Sequence, residues 1–413
     1  MNMCFRDRSS ALLLLASLKF NVPLLCKKPL CIPLVLTAKW RFKLPRVLSE
    51  SDASDLIVGA TIMGTGGGGD PKQGLETLRQ DLASGRKLVV SDVAELDPSS
   101  IVVCAYYCGS IPSPGRKIRK EALETRMAPE ALMRTVLNTM KEAIHGDISS
   151  IIAVELGGAN TAIALHLAAL AGLPVVDGDQ VGRSAPELVH STYHVHGAKA
   201  TPAVVADTLG NILVVKEYSD IQRYEMIARS LSVLAGGAVI VLDTPATAAE
   251  TSRLALTGTL SKCVELGATV RRANEKRTDP ISEVVKLLQG YMLFHGKVSQ
   301  FNLNEEDGFL MGRTGLRGLG DWRGHRAEVW VKNENMIAWR DGKLVAIAPD
   351  PIILLDEKGY GVTNSRIRKG MEVYVVGAKA HDIWRTPRGI ELMGPRHFGF
   401  RFDYNPIEKL VGT

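Results

Sequence analysis

Cysteine is scarce in this chain: six residues in 413, and Cys4, Cys26 and Cys31 all fall before residue 32. The remaining three, Cys104, Cys108 and Cys263, make no even framework, which argues against a secreted fold stapled by disulfides. Long apolar runs are missing as well. The run "ALLLLAS" is cut off by Lys19, whereas a membrane-spanning helix takes ~20 apolar residues. No Gly-Lys-Ser/Thr follows the glycines at 66–69, so they form no Walker P-loop, and no Gly-x-Ser-x-Gly elbow offers a serine nucleophile.

Acidic residues are nearly absent from the beginning. Residues 1–46 hold nine Lys/Arg against Asp7 alone, a balance of +8 where the whole chain is +6, so the other 367 residues sit at −2. A near-neutral body carries no basic stripe for nucleic acid and none for an anionic membrane. Three readings of the leader stand: a signal peptide, although no small-residue cleavage site follows; an organelle presequence, although Ser and Arg are few; or translation beginning near Val47. It is left out of the fold reasoning, and the body is expected in the cytoplasm.

What is present alternates between helix and strand. "SDASDLIVGATIM" has caps in Ser51 and Ser54 and a helical apolar pattern, with a strand as the alternative. Asp70 and Pro71 suit an N-cap and the first helical position of the segment that runs to Gly85. "KLVVSD" and "SSIVVCAYY" read as buried strands, and "EALMRTVLNTMKEAIHG" as a helix closed by Gly146. The clearest unit is a strand at Ile151–Val154, a helix capped by Asn160 and stopped by Gly172, and a strand at Pro174–Val176. That order implies parallel strands with a right-handed crossover. A domain break is expected at 208–210. The second part is mixed α and β to about 295, then β-rich, with a hairpin at Asp341–Gly342 and strands in "MEVYVVGA" and "GIELMG". The fold class is therefore an αβα-layered N-terminal domain followed by a mostly β C-terminal domain.

In open α/β sheets ligands collect beyond the carboxyl ends of the strands. Tyr106, Tyr107 and Cys108 are expected there, with Glu155, then Asp177 and Asp179. Asn160 opens a helix behind Gly157 and Gly158, where free backbone N–H groups suit an anion or a carbonyl oxygen; by itself it reads as a cap. Gly64, Gly66 and Gly69 spell Gly-x-Gly-x-x-Gly, but a dinucleotide site needs a strand before the glycines and a helix starting within them. No nucleotide is expected. A loop that lets backbone approach a small ligand, with Asp70 as cap or contact, fits better. In "PELVHSTYHVHG", His190, His194 and His196 share one face if the segment is extended. With Glu187, Asp177 or Asp179 they suit a divalent metal, zinc or manganese, and the alternative is a solvated strand end. His145, His166, His295, His325, His381 and His397 are scattered.

The blocks "GTGGGGDP", "VELGGANT", "LPVVDGDQVGRSAPEL", "VKNENMIAW", "APDPIILLD" and "GPRHFGFRFDY" resemble, in order, those of the S-methyl-thiohydantoin desulfurase-like family, which stands beside hydantoinases and oxoprolinases. The resemblance covers about 48–407. It implies an α/β sandwich, a barrel-like β domain, and chemistry on five-membered cyclic amides. Gly66, Gly67, Gly68, Gly69 and Asp70 fall on its glycine block, and Glu155, Asn160, Asp177, Asp179, Arg183 and Glu187 on its acid blocks. The histidine-rich run departs from the family pattern.

The expected activity is hydrolysis at C2 of a hydantoin, thiohydantoin or S-methyl-thiohydantoin ring. Asp179 or Glu155 would be the general base, and Arg183 with the amides near Asn160 would stabilise developing charge. The alternative is a non-catalytic subunit of a hydantoinase/oxoprolinase assembly. A homo-oligomer is left open.

Overall fold

The structure is a computed structural model that describes residues 47–109, 127–235 and 237–411. The basic leader, with its three cysteines, lies outside them. Helix α1 (Glu50–Met63) starts ahead of the expected caps, because Ser49 forms a capping box: its hydroxyl accepts the Asp52 N–H at 3.1 Å and Asp52 Oδ2 accepts the Ser49 N–H at 2.9 Å. Helix α2 (Pro71–Ala83) begins where expected, its Lys72 N–H bonded to Asp70 Oδ1 at 3.0 Å.

The first sheet comprises β1 (Val90–Ser91), β2 (Ile101–Gly109), β3 (Ile148–Ala153), β4 (Val175–Asp179), β5 (Ala203–Ala206), β6 (Ile212–Val215), β7 (Ala238–Thr247) and β8 (Leu256–Thr257). Their order is β1-β4-β3-β2-β7-β5-β6, with β8 against β4. The first four are parallel, and β7, β5 and β6 continue antiparallel. Alternate residues of β2 feed two cores. Val103 and Ala105 face α3 (Pro129–Ile144) and α4 (Gly158–Ala171), and Val102, Cys104, Tyr106 and Cys108 face the opposite side, where α6 (Ile221–Leu234) packs. That is the layered αβα arrangement. Tyr106, Tyr107 and Cys108, expected past the strand end, lie within β2.

After β4 the chain also forms α5 (Thr192–Val195), α7 (Ala248–Leu254), α8 (Thr259–Lys276) and α9 (Pro280–Leu288). The break expected at 208–210 does not separate the sheets: β7 lies between β2 and β5. Helix α8 packs on α1 so closely that a Cβ added to Gly59 would stand 1.9 Å from Cys263 O, and one on Gly267 would stand 1.9 Å from Asp55 O.

The second sheet is antiparallel and curls into a half-barrel: β9 (Tyr291–Glu306), β10 (Phe309–Gly318), β11 (Arg326–Lys332), β12 (Glu334–Arg340), β13 (Lys343–Ile347), β14 (Ile352–Leu355) and β15 (Glu372–Gly377), in the order β13-β12-β11-β10-β9-β15-β14. The Asp341–Gly342 hairpin forms with both residues at positive φ, +50° and +78°, as a two-residue type I′ turn requires. "GIELMG" is not a strand but α10 (Pro387–Met393), because Thr386 caps it and Pro387 occupies its first position. A last short helix, α11 (Ile407–Val411), ends the described chain. No helix among the described residues is long and apolar enough to cross a membrane.

Candidate functional site

The glycine loop is packed between the start of α4 and the start of β12. Gly68 O accepts the N–H groups of Ala159 (2.9 Å) and Asn160 (3.1 Å), and the Gly157 N–H bonds Thr161 Oγ1 at 3.0 Å. The amides expected to be free for a ligand are thus held by the protein's own carbonyl and hydroxyl. Nor is Asn160 the cap, which is Gly157. The Asn160 side chain is a bracket: Nδ2 donates to Glu155 Oε1 at 2.7 Å and Oδ1 accepts the Tyr107 N–H at 3.0 Å. Asp70 serves α2 as its cap.

The loop glycines make room for other groups. A Cβ on Gly67 would meet Glu334 Oε1 at 1.7 Å; one on Gly68, whose φ is +73°, would meet Gly157 Cα at 2.4 Å. The two positions should therefore fail differently. Gly67→Ala collides with a side chain that can swing, so it should displace the Glu334 carboxyl and remove function while sparing most stability. Gly68→Ala combines left-handed strain, ~1–2 kcal/mol, with a backbone clash of ~1–3 kcal/mol. Urea unfolding of both variants checks the order; equal losses would contradict it.

Near this loop stand the buried carboxyls Glu155 and Glu334 and one guanidinium, and Asp179 lies next to Glu155. Glu155 follows β3 and accepts the Ala185 N–H on Oε2 at 2.9 Å. Burial raises its pKa, partly offset by that N–H and by Asn160. Asp179, at the end of β4, accepts the N–H groups of Val181 (2.8 Å) and Gly182 (2.6 Å) on Oδ2, while Oδ1 has no partner. Burial, with a smaller push from Glu155, carries it up to about 7. Glu334 is held well above the carboxylate range by burial and then by the Glu155 charge, and its Oε2 is also unpartnered. Arg183 is 2% exposed and joins distant segments: Nη2 donates to Thr65 Oγ1 (2.9 Å) and Asn335 O (3.1 Å), Nε to Ser184 O (2.8 Å), and Nη1 to Pro349 O (3.3 Å). Burial lowers it to about 10 against the opposing charges of Glu334, Asp350 and Glu155.

Glu334, Asn335 and Asn364 were not among the expected site residues. Asn335 Nδ2 is spent on Ile352 O (3.0 Å) and Asn364 Nδ2 on Asn333 O (2.9 Å), which leaves both Oδ1 atoms buried and unbonded beside the loop. Buried polar atoms without partners are rare in native folds, so several in one region mark a place with business other than stability. The signal in the sequence was the block "VKNENMIAW", legible as a resemblance but without a role until its glutamate is seen against Gly67.

Family models cover most of the chain, residues 51–217 with the S-Me-THD-like N-terminal domain and residues 219–407 with its C-terminal domain. The chain belongs to the S-Me-THD-like family. No curated protein matches it. A solved protein from Chromobacterium violaceum, 21% identical, aligns with 87% of this chain and 99% of its own at a TM-score of 0.67. That likeness shows a shared fold.

In this S-Me-THD-like chain the other expected residues go elsewhere. Asp177 turns to the start of α8, accepting the Ser261 N–H at 3.0 Å and the Ser261 hydroxyl. The histidine run is not extended, because the Ser191 hydroxyl accepts the Tyr193 N–H at 3.2 Å and caps α5. His194 is half-buried and His196 exposed at the helix end, so neither shares a face with the buried His190. His190 is joined instead by Glu187 and His397. Glu187 bonds His397 Nε2 at 2.9 Å and Lys332 Nζ. Burial pushes Glu187 up, but the His397 bond and the charges of His190 and Lys332 outweigh it and hold the carboxyl below its usual range. Cys108 is buried and pushed up to about 12, which removes it as a thiolate nucleophile near neutral pH.

Proposed function

We propose that this protein is a cytoplasmic hydrolase of five-membered cyclic amides or thioamides, acting at C2 of a hydantoin, thiohydantoin or S-methyl-thiohydantoin ring. The observation that carries this reading is the buried acid group: Glu155 and Glu334 lie in the field of Arg183, Asp179 neighbours Glu155, and burial raises all three, Asp179 to about 7 and Glu334 well above its ordinary value. Carboxyls pushed apart in this way divide into base and acid. The family assignment supplies the ring chemistry.

In the reaction, ionised Asp179 or Glu155 takes a proton from water, and the oxygen bonds C2. In 2-thiohydantoin the C2=S π pair moves onto sulfur; in the S-methyl ring, where C2 is double-bonded to nitrogen, the C2=N π pair moves onto that nitrogen. Glu334, kept protonated, gives its proton to the leaving sulfur as the C2–S bond breaks, and regains one from the C2 hydroxyl as C2=O forms; the proton held by the base completes hydrogen sulfide, or the ring N–H in the S-methyl case. Water is consumed and hydrogen sulfide released, or methanethiol from the S-methyl ring. Arg183 acts through its field, since its N–H groups are engaged by protein acceptors. A positioned base contributes ~10²–10⁴-fold and preorganised charge ~10²–10³-fold.

The test is sulfide, methanethiol and ring-opening assays on hydantoin, 2-thiohydantoin and S-methyl-thiohydantoin, with Glu334→Gln as the paired variant. Turnover by the native chain, lost in the variant, is expected. No turnover of any ring until a hydantoinase or oxoprolinase subunit is added would replace this reading with that of a non-catalytic partner.

A further inference from the structure

We propose that the glycine loop recognises one edge of a cyclic amide: its free N–H groups hold a ring carbonyl oxygen while the Asn335 and Asn364 side-chain carbonyls take two ring N–H groups. The proposal rests on the hydrolase reading and narrows it to rings that carry both N–H groups, as hydantoin and 2-thiohydantoin do.

The loop is hydrogen-bonded on one side only. Three of its carbonyls are occupied: Thr65 O by the Asn335 N–H (2.8 Å), Gly66 O by the Asn364 N–H (2.8 Å), and Gly68 O by Ala159 and Asn160. Its amides are treated otherwise. Among the described residues, the N–H groups of Gly66, Gly68 and Gly69 meet no protein acceptor. All three residues have positive φ, +98°, +73° and +81°. Neighbouring N–H groups in such turns form a concavity that suits an electron-rich oxygen.

Unused acceptors stand against the same glycines. A Cβ on Gly66 would meet Asn364 Nδ2 at 2.5 Å and Asn335 Nδ2 at 3.1 Å. Each nitrogen donates to a backbone carbonyl, Asn333 O and Ile352 O respectively, which fixes the amide orientation, since a flip would set oxygen against oxygen. Both side chains are fully buried, and both Oδ1 atoms lack a donor.

Unpaired donors and unpaired acceptors in one place call for a ligand that offers both. A bare anion would lie against Glu334 and the two Oδ1 atoms. A bare cation would lie against Arg183, whose Nη2 bonds Thr65 and Asn335. A neutral ring in which N–H and C=O alternate answers both sets. Gly69 is exposed while Gly66, Gly67 and Gly68 are buried, so the loop leads inward from the surface. In the S-methyl ring one nitrogen carries no hydrogen, one Oδ1 stays unpaired, and binding should be weaker than for 2-thiohydantoin.

The experiment is calorimetric titration of the full chain, native and Glu334→Gln, with hydantoin, 1-methylhydantoin, 3-methylhydantoin and succinimide. Succinimide has CH₂ where hydantoin has one N–H, so it removes a donor without adding bulk. Hydantoin is expected to bind at least ~10-fold more tightly than each of the others, because each leaves a buried acceptor unpaired. Asn335→Ala and Asn364→Ala, shown to fold by circular dichroism, should each erase the discrimination against one methylated ring and keep it against the other. Where a variant does not fold, the ring series on the native chain decides alone. Hydantoin and succinimide within ~3-fold of each other, no hydantoin bound by either chain, or full discrimination in both folded asparagine variants would overturn the proposal. Ring-opening assays judge the hydrolysis separately. Rings bound in this order but never opened remove the hydrolysis alone, and rings opened without this order remove only the edge recognition.

Discussion

Replacing Arg183 by methionine should cost ~3–5 kcal/mol of folding free energy, the penalty for removing one partner from a buried charge group. The side chain is 2% exposed, and the acids facing it are buried with it. Methionine fills much of the volume but answers none of the five oxygens, on Thr65, Ser184, Asn335, Pro349 and Asp350, that the guanidinium bonds. Lysine should not rescue it, because a point charge lacks the planar fork that reaches several segments at once. The loss should shrink on acidification, as Glu155 takes up its proton and the uncompensated charge disappears. Urea unfolding at pH 7 and pH 5 measures both effects; a loss under ~1 kcal/mol at pH 7 would mean that no buried carboxylate is charged against Arg183.

The second large effect is one of pH. Asp179 titrates near 7 in the folded chain and at ~3.9 when unfolded, so the native state holds its proton over that interval. Its contribution to stability is complete below ~4 and is lost as pH rises through 7, at ~1.4 kcal/mol per unit, which bounds the whole at ~4 kcal/mol. Asp179→Asn should therefore be more stable than the native chain at pH 8 and flatten the decline between pH 4 and 7. Its carbonyl oxygen can still accept the Val181 and Gly182 N–H groups. If Asp179 is the base, the same variant should lose ~10²–10⁴-fold in turnover. Glu187 does not confuse the reading, because its pKa is depressed and its stabilisation disappears only at more acid pH. Melting curves at fixed ionic strength from pH 4 to 8 decide the matter, and an unchanged slope in the variant would rule Asp179 out as the titrating group.

Local chemistry was legible and long-range chemistry was not. Asp70–Pro71, the strand–helix–strand unit at 148–179 and the Asp341–Gly342 hairpin are where turn and cap residues put them, since those preferences act over a few residues. Asn160 misled because a capping residue type sat three positions inside a glycine cap and was committed to Glu155. The histidine run misled because one hydroxyl, on Ser191, turned an apparent strand into a helix. Glu334 stands 179 residues beyond Glu155, and His397 lies 207 beyond His190. Nothing in spacing links such pairs; only the folding of one sheet against the other does.

The position of β7 decides when this chain can fold as it is made. Until residues 238–247 leave the ribosome, β2 lacks a neighbour along one edge and the β5–β6 hairpin has no sheet to join. Helix α1, made before the whole sheet, waits longer for α8 to cover it. The nascent first half is thus exposed with open strand edges, a state prone to pairing with other chains. Vectorial synthesis gives it no early refuge, and a fragment ended between β6 and β7 should be a client of chaperones rather than a domain.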